Sequence, residues 1–377
     1  MKYTAIAMLT CGLLTAGCRL LSTGAHAHAM KEAVDECRSR ADVGVIVTSV
    51  TNWVAQYRAS SEFKIERDGT NTYIRGTVGI FPSLFSKYDI IVELDSERQE
   101  AYCYGYLPTK VPDGRRNAVV EFLFRAECAY GLSPATLVLE EDGSVRCQSW
   151  LPFGELQGTP GKAIPQLVGS VMEKLYACST AIGPVLLGLE TPRCASCIHP
   201  VGLFNGEYES SPDTLAADTD KVLKKCFSDN EWTTERSPSG WIPKYLASAD
   251  STAAFIKAWI SDVKRDVGGI YDRIDYTLVV SRGMVGNVCP LPIAIPKDRI
   301  VAVADAVMRL NQSSKCALFC VDFDNRKLWC GYSFPVSALC NCDEAASNRY
   351  RVFIKAVAPF EVARNSERLS RIAKGED

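Results

Sequence analysis

The feature that most limits what this chain can fold into is a long-range echo. "LPTKVPDGRRNAVVEFLFRAE" at 107–127 returns as "LPIAIPKDRIVAVADAVMRLN" at 291–311, displaced by 184 positions. Leu107, Pro108 and Pro112 align with Leu291, Pro292 and Pro296. Arg115, Ala118, Val119 and Arg125 align with Arg299, Ala302, Val303 and Arg309. Apolar positions 118, 119, 122, 123 and 126 follow the 3.6-residue period, and so do their counterparts 302, 303, 306, 307 and 310. Each copy is therefore expected to hold an amphipathic helix entered through a proline. The register continues into a strand, with Leu137 opposite Val321 and Leu139 opposite Phe323. One residue is lost in a polar turn, "EEDGS" against "DNRK", and the β-rich runs around it predict a hairpin in each copy. "TAIGPVLLG" at 180–188 then echoes "KAVAPFEVA" at 355–363. Three blocks in one order, with gaps at turns and loops, predict a duplicated α+β domain.

Each copy can be written out on this frame. The first has an amphipathic helix over about 31–59, where Val43, Val47, Val50, Trp53 and Val54 recur at helical spacing. Four strands follow ("FKIERDG", "NTYIRGTVGIF", "YDIIVELD", "QEAYCYGYL"), then the proline-entered helix, the hairpin and a last helix carrying Ile164, Leu167, Val168, Val171, Met172 and Leu175. The second copy opens with "STAAFIKAWISDV" in the place of the first helix. The expected organisation is a leader and tether over 1–29, domain 1 over 30–189, a linker over 190–245 rich in Ser, Asp, Pro and Gly, and domain 2 over 246–377.

The order helix, antiparallel sheet, helix, hairpin, helix resembles the YbjN family, whose fold is like that of type III secretion chaperones. The resemblance is carried by the two proline-entered helices with "ATLVLEEDGSVRC" and "ALFCVDFDNRKLWC". The "RLN" at 309–311 looks like the family's helix ending, and in the first copy it has become "RAE". What the resemblance implies is a small α+β domain that binds protein or peptide, with no family-wide catalytic residues and no cofactor.

Composition narrows the partners. A formal charge of −2, with no basic run interleaved with aromatics, argues against nucleic acid. The three histidines are His26, His28 and His199, and the first two sit behind the leader, so nucleophilic catalysis through imidazole must use His199. The start, "MKYTAIAMLTCGLLTAGCRLL", resembles a bacterial secretion leader in which Cys18 of "TAGC" carries the lipid. Thr15 stands where Leu is usual. Ordinary cleavage near "AHA" and a true start at Met30 in the cytoplasm are the alternatives. The expectation is an extracytoplasmic, lipid-anchored protein that meets the membrane through that anchor alone. Sixteen cysteines become fourteen once Cys11 is removed and Cys18 acylated, an even number suited to disulfides in an oxidising compartment. Cys316, Cys320 and Cys330 fit buried thiols or one cross-strand bridge.

Three sets of residues are candidates for function. Cys194, Cys197 and His199, in "CASCIH", have the spacing for disulfide exchange or shared metal binding, but they lack the strand-then-helix context of a redox site and the remaining ligands of a zinc site. Structural thiols or a disulfide are the plainer reading. Tyr102, Tyr104 and Tyr106 alternate, so they share one strand face, as core or as a partner surface. Arg125 and Arg309 recur at one repeat position, as a paired anion contact or as cations near a helix C-terminus. "GTPGKA" fails as a phosphate loop, because Ala163 follows Lys162 where Ser or Thr is needed. The leading expectation is non-enzymatic protein or peptide binding, chaperone-like or scaffolding. The alternative is a thiol-redox or metal-binding protein using Cys194, Cys197 and His199. Pairing of the two copies within one chain is left open.

Overall fold

A computed structural model describes residues 43–56, 63–78, 87–130, 133–152, 160–192, 232–235, 254–260, 269–281, 284–314, 318–335, 359 and 361–376. Cys18 and the leader lie outside these residues, as do Cys194, Cys197, His199 and Cys316.

Alternating burial builds the first sheet. In β3 (Tyr88–Asp95), Tyr88, Ile90, Val92 and Leu94 are buried. Its register with β4 (Glu100–Lys110) places Ile90, Val92 and Leu94 beside Gly105, Cys103 and Ala101, which makes one apolar face. With β1 (Lys64–Asp68), β2 (Asn71–Val78), β5 (Ala135–Leu139) and β6 (Ser144–Pro152), these form a six-stranded sheet ordered β1-β2-β3-β4-β6-β5. All its pairings are antiparallel.

A second antiparallel sheet is ordered β11-β12-β10-β9-β8-β7. Its strands are β7 (Trp232–Glu235), β8 (Ala254–Ile260), β9 (Ile274–Ser281), β10 (Met284–Leu291), β11 (Leu318–Asp322) and β12 (Lys327–Pro335). In both sheets the first hairpin strand is an edge, its partner lies inside it, and the four earlier strands follow in reverse order. The described residues are thus mixed α+β with two antiparallel sheets.

One sequence expectation is corrected. "STAAFIKAWISDV" does not hold a helix at Ala254–Ile260. That run is β8, because Phe255, Ile256, Trp259 and Ile260 are β-formers and its register with β9 supplies the ladder. The 190–245 segment expected to link the copies contributes β7, which pairs with β8.

Five helices are described: α1 (Val43–Gln56), α2 (Arg116–Tyr130), α3 (Pro160–Leu187), α4 (Ile300–Ser313) and α5 over 361–374. The proline entries occur as expected. Pro112 and Pro296, at φ −62 and −60, each open a 3-10 turn that leads into α2 or α4. The carbonyls of Pro112 and Pro296 accept from Arg115 N–H and Arg299 N–H at 2.8 and 3.0 Å. α3 crosses the apolar face of the first sheet, where the Tyr88 hydroxyl donates to Ser179 Oγ at 2.6 Å.

The edge strands β5 and β11 explain how the two sheets come together. An open strand edge exposes backbone groups that need partners. On β5, Leu137 N–H donates to Glu127 Oε1 (2.6 Å) and Ala135 O accepts from Lys174 Nζ (2.5 Å). Further along, Leu139 N–H donates to Met308 Sδ (3.2 Å) and Leu139 O accepts from Gln312 Nε2 (2.6 Å). On β11, Asn311 accepts from Phe319 N–H (2.9 Å) and donates to Phe319 O (2.7 Å), while the Cys128 thiol lies 3.9 Å from Val321 O. Thus α4 reaches across to the first sheet's edge and α2 reaches across to the second's. The two helices also pack on each other. Arg116–Asp305 (3.2 Å) and Arg125–Asp324 (2.7 Å) are ion pairs across the same junction.

Candidate binding cleft

Pleating sends Tyr102 and Tyr104 to the face of β4 opposite α3. A Cβ on Gly105 would lie 2.3 Å from Leu175 Cδ1, which fixes the intervening positions against the helix. Cross-strand register puts Glu93 of β3 beside Tyr102 and Gln148 of β6 beside Tyr104. The opposite wall is the end of α4: Gln312, Ser313 and Ser314. Together with Arg146 and Ser149 they enclose a cleft of about 260 Å³ at the junction of the two sheets.

Polar bonds hold the walls together. Gln148 Nε2 donates to Asn311 O (3.4 Å) and Ser314 O (3.3 Å), and Arg146 donates to Gln312 O (3.5 Å). These carbonyls belong to the last turn of α4 and the residue after it, where helical acceptors run out of intrahelical donors. Arg146 also pairs with Glu140 (2.9 Å) and sits 5.5 Å from the centre of the Tyr104 ring. The Tyr102 and Tyr104 rings are parallel within 3°, their centres 6.3 Å apart. The Tyr102 hydroxyl donates to Glu100. Burial, then the Glu100 carboxylate, pushes the Tyr102 pKa far up. Burial and Glu93 do the same for Tyr104. Both hydroxyls therefore remain protonated donors at physiological pH. Tyr332 of β12 meets the buried Trp150 of β6 edge-on at 6.2 Å, an aromatic contact between the two sheets.

The tyrosine stripe divides on inspection. Tyr102 is 6% exposed, Tyr104 and Tyr106 are half-buried, and Tyr106 shares the face without lining the cleft. Arg125 and Arg309 lie outside the set of residues that line the cleft. Each sits in an i, i+4 ion pair, with Glu121 (2.8 Å) and Asp305 (2.7 Å) respectively. Arg125 additionally bridges to Asp324 and lies over Phe323 at 5.6 Å. Arg125 thus ties the two sheets' elements together, while Arg309 is 58% exposed beside Asp305.

Cys320 is a buried free thiol, as are Cys103, Cys147, Cys178 and Cys289; Cys330 is buried as well, and Cys128 is a half-buried free thiol. Burial raises the pKa of Cys103, Cys147, Cys178 and Cys289, which keeps these sulfurs as inert thiols. Among the described residues, no cluster of three or more His, Cys, Asp or Glu could hold a metal. Among them too, no helix is long and apolar enough to cross a membrane.

Sequence reasoning missed Arg146, Gln148, Glu93 and the Gln312–Ser314 wall. One signal was available. Val120, Phe124 and Cys128 form a second stripe on α2, with Ala304, Met308 and Gln312 at the matching positions of α4. A helix apolar on more than one face is buried on more than one side. No protein-family model, curated protein or solved structure matches the chain.

Proposed function

We propose that this protein is a non-enzymatic binding module in which two YbjN-like copies pair within one chain to hold a protein or peptide segment. Duplication is supported by the common strand order and by the reciprocal closing of β5 and β11 through α4 and α2. The observation that carries the binding reading is the cleft itself, which needs both units. Half-buried Tyr104, braced by the parallel Tyr102 ring and by Arg146, supplies rigid contact area at low entropic cost, and Glu93 offers a carboxylate to a polar backbone. An extended peptide that meets this mainly polar lining with its backbone and polar side chains suits the cleft. The reading keeps the leader as an envelope anchor through Cys18, outside the cytoplasm.

A peptide array probed with the full chain tests this. Selective binding should fall at least tenfold in Tyr104→Ala and survive Cys194→Ser with Cys197→Ser. Equal signals from the wild-type chain and Tyr104→Ala would sink the cleft. Loss of binding in the thiol double variant alone would move the function to "CASCIH".

A further inference from the structure

Cys128 and Cys320 are 192 positions apart in sequence, yet their sulfurs lie 3.5 Å apart. Cys128 is in the last turn of α2, which belongs with the first sheet, and Cys320 is in β11 of the second. Cys320 Sγ also lies 3.8 Å from Phe124 O, and Cys128 Sγ lies 3.9 Å from Val321 O. Each thiol is thus held against the other unit's backbone with its sulfur facing its partner. The directly opposed pair Cys289 and Cys330 differs, since the Cys289 thiol is directed to Asp275 O at 3.8 Å.

We propose that Cys128 and Cys320 form a disulfide site that cross-links the two units, closed by exchange with a small-molecule disulfide of the oxidised-glutathione class. A disulfide needs about 2.05 Å between sulfurs, so they must approach by roughly 1.5 Å. The order of events follows from exposure. Half-buried Cys128 meets the oxidant first. Its thiolate attacks one sulfur, the oxidant's S–S bond breaks, and the first small thiol leaves with a proton. Cys320 then gives up its proton and attacks the Cys128 sulfur, and the second small thiol departs carrying that proton. Two protein thiols lose two electrons and two protons, and the oxidant gains both pairs. Burial and contact with Cys128 raise the Cys320 pKa, which makes the closing step the slower one. The bond would tie α2 to the edge strand it covers and restrain the unfolded chain over the whole span between the units. This inference does not depend on the cleft.

The full chain, reduced and then incubated with excess oxidised glutathione, is alkylated, digested and mapped by mass spectrometry. A Cys128–Cys320 peptide pair, two hydrogens lighter than the free thiols, is expected, together with a higher urea midpoint that reductant reverses. Cys128→Ser should abolish both. Cys320→Ala should instead trap Cys128 as a stable glutathione adduct, a readout independent of stability. Recovery of both cysteines alkylated in the oxidised wild-type chain would overturn the proposal. So would absence of the adduct in Cys320→Ala, or a wild-type chain that stops at the Cys128 adduct.

Discussion

Glu127 and Asn311, 184 positions apart, close the same part of an edge strand by different chemistry. Asn311 does it alone, accepting from Phe319 N–H and donating to Phe319 O. Glu127 can only accept, and takes Leu137 N–H. The missing donor is Lys174 of α3, which bonds Ala135 O and the second Glu127 oxygen at 2.6 Å. Position 135 matches 319 in the repeat. Where the second edge strand uses one amide, the first uses a buried ion pair, 1% and 2% exposed.

Lys174→Met should therefore be among the more damaging single substitutions. It leaves a charged Glu127 and the Ala135 carbonyl buried without their cation, a loss of about 3–5 kcal/mol. Adding Glu127→Gln removes the stranded charge and should recover about 1–3 kcal/mol. Urea unfolding of both singles and the double measures this. Strict additivity would show that the two residues are not coupled.

Arg125 and Arg309 share a repeat position but not a burden. The Arg125 side chain is 11% exposed and bridges Glu121, Asp324 and the Phe323 ring, so Arg125→Ala should cost about 1–2 kcal/mol. Arg309 is 58% exposed beside Asp305, and Arg309→Ala should stay within about 0.5 kcal/mol. Equal losses in denaturant titrations would contradict the asymmetry.

At Gly105, α3 approaches β4 too closely for a side chain. An added Cβ would meet Leu175 Cδ1 at 2.3 Å and Ile90 Cδ1 at 2.8 Å. Gly105→Ala is expected to destabilise by about 1–3 kcal/mol through overpacking. Pairing it with Leu175→Ala should cost less than the two changes summed. A neutral Gly105→Ala in thermal melts would mean that α3 shifts freely.

The proline-entered helices and the hairpins were legible because period and turn chemistry are local properties. Pro112 and Pro296 fix their backbone angles wherever they occur. β8 was misplaced because "AFIKAWI" suits a strand or a short helix until β9 supplies a ladder. The cleft was legible in part. Alternation put Tyr102, Tyr104 and Tyr106 on one face, but their depth depends on what covers that face. The cover is the end of α4, just over two hundred residues away in sequence. Contact of Cys128 with Cys320 has the same origin, since neither neighbourhood carries a mark of the other.

Glu361 gives the second unit a distinctive acid-range signature. Burial raises its pKa above the ordinary 4.5, against the opposing pull of Arg364 and of Asn365, whose Nδ2 lies 3.2 Å from Oε2. A carboxyl raised on folding ionises first in the unfolded chain. Stability from this group is therefore full below 4.5 and declines as pH rises through its folded value. Asp142 runs the other way: the Lys110 ammonium, then Ser144, hold it down to about 2, so its contribution is lost as pH falls from the usual carboxylate value toward 2. Glu361→Gln should be more stable than the wild-type chain at pH 7, with the difference vanishing below 4.5. Urea midpoints measured in steps from pH 3.5 to 8 decide it. Parallel curves for the two proteins would show that Glu361 ionises alike in the folded and unfolded states.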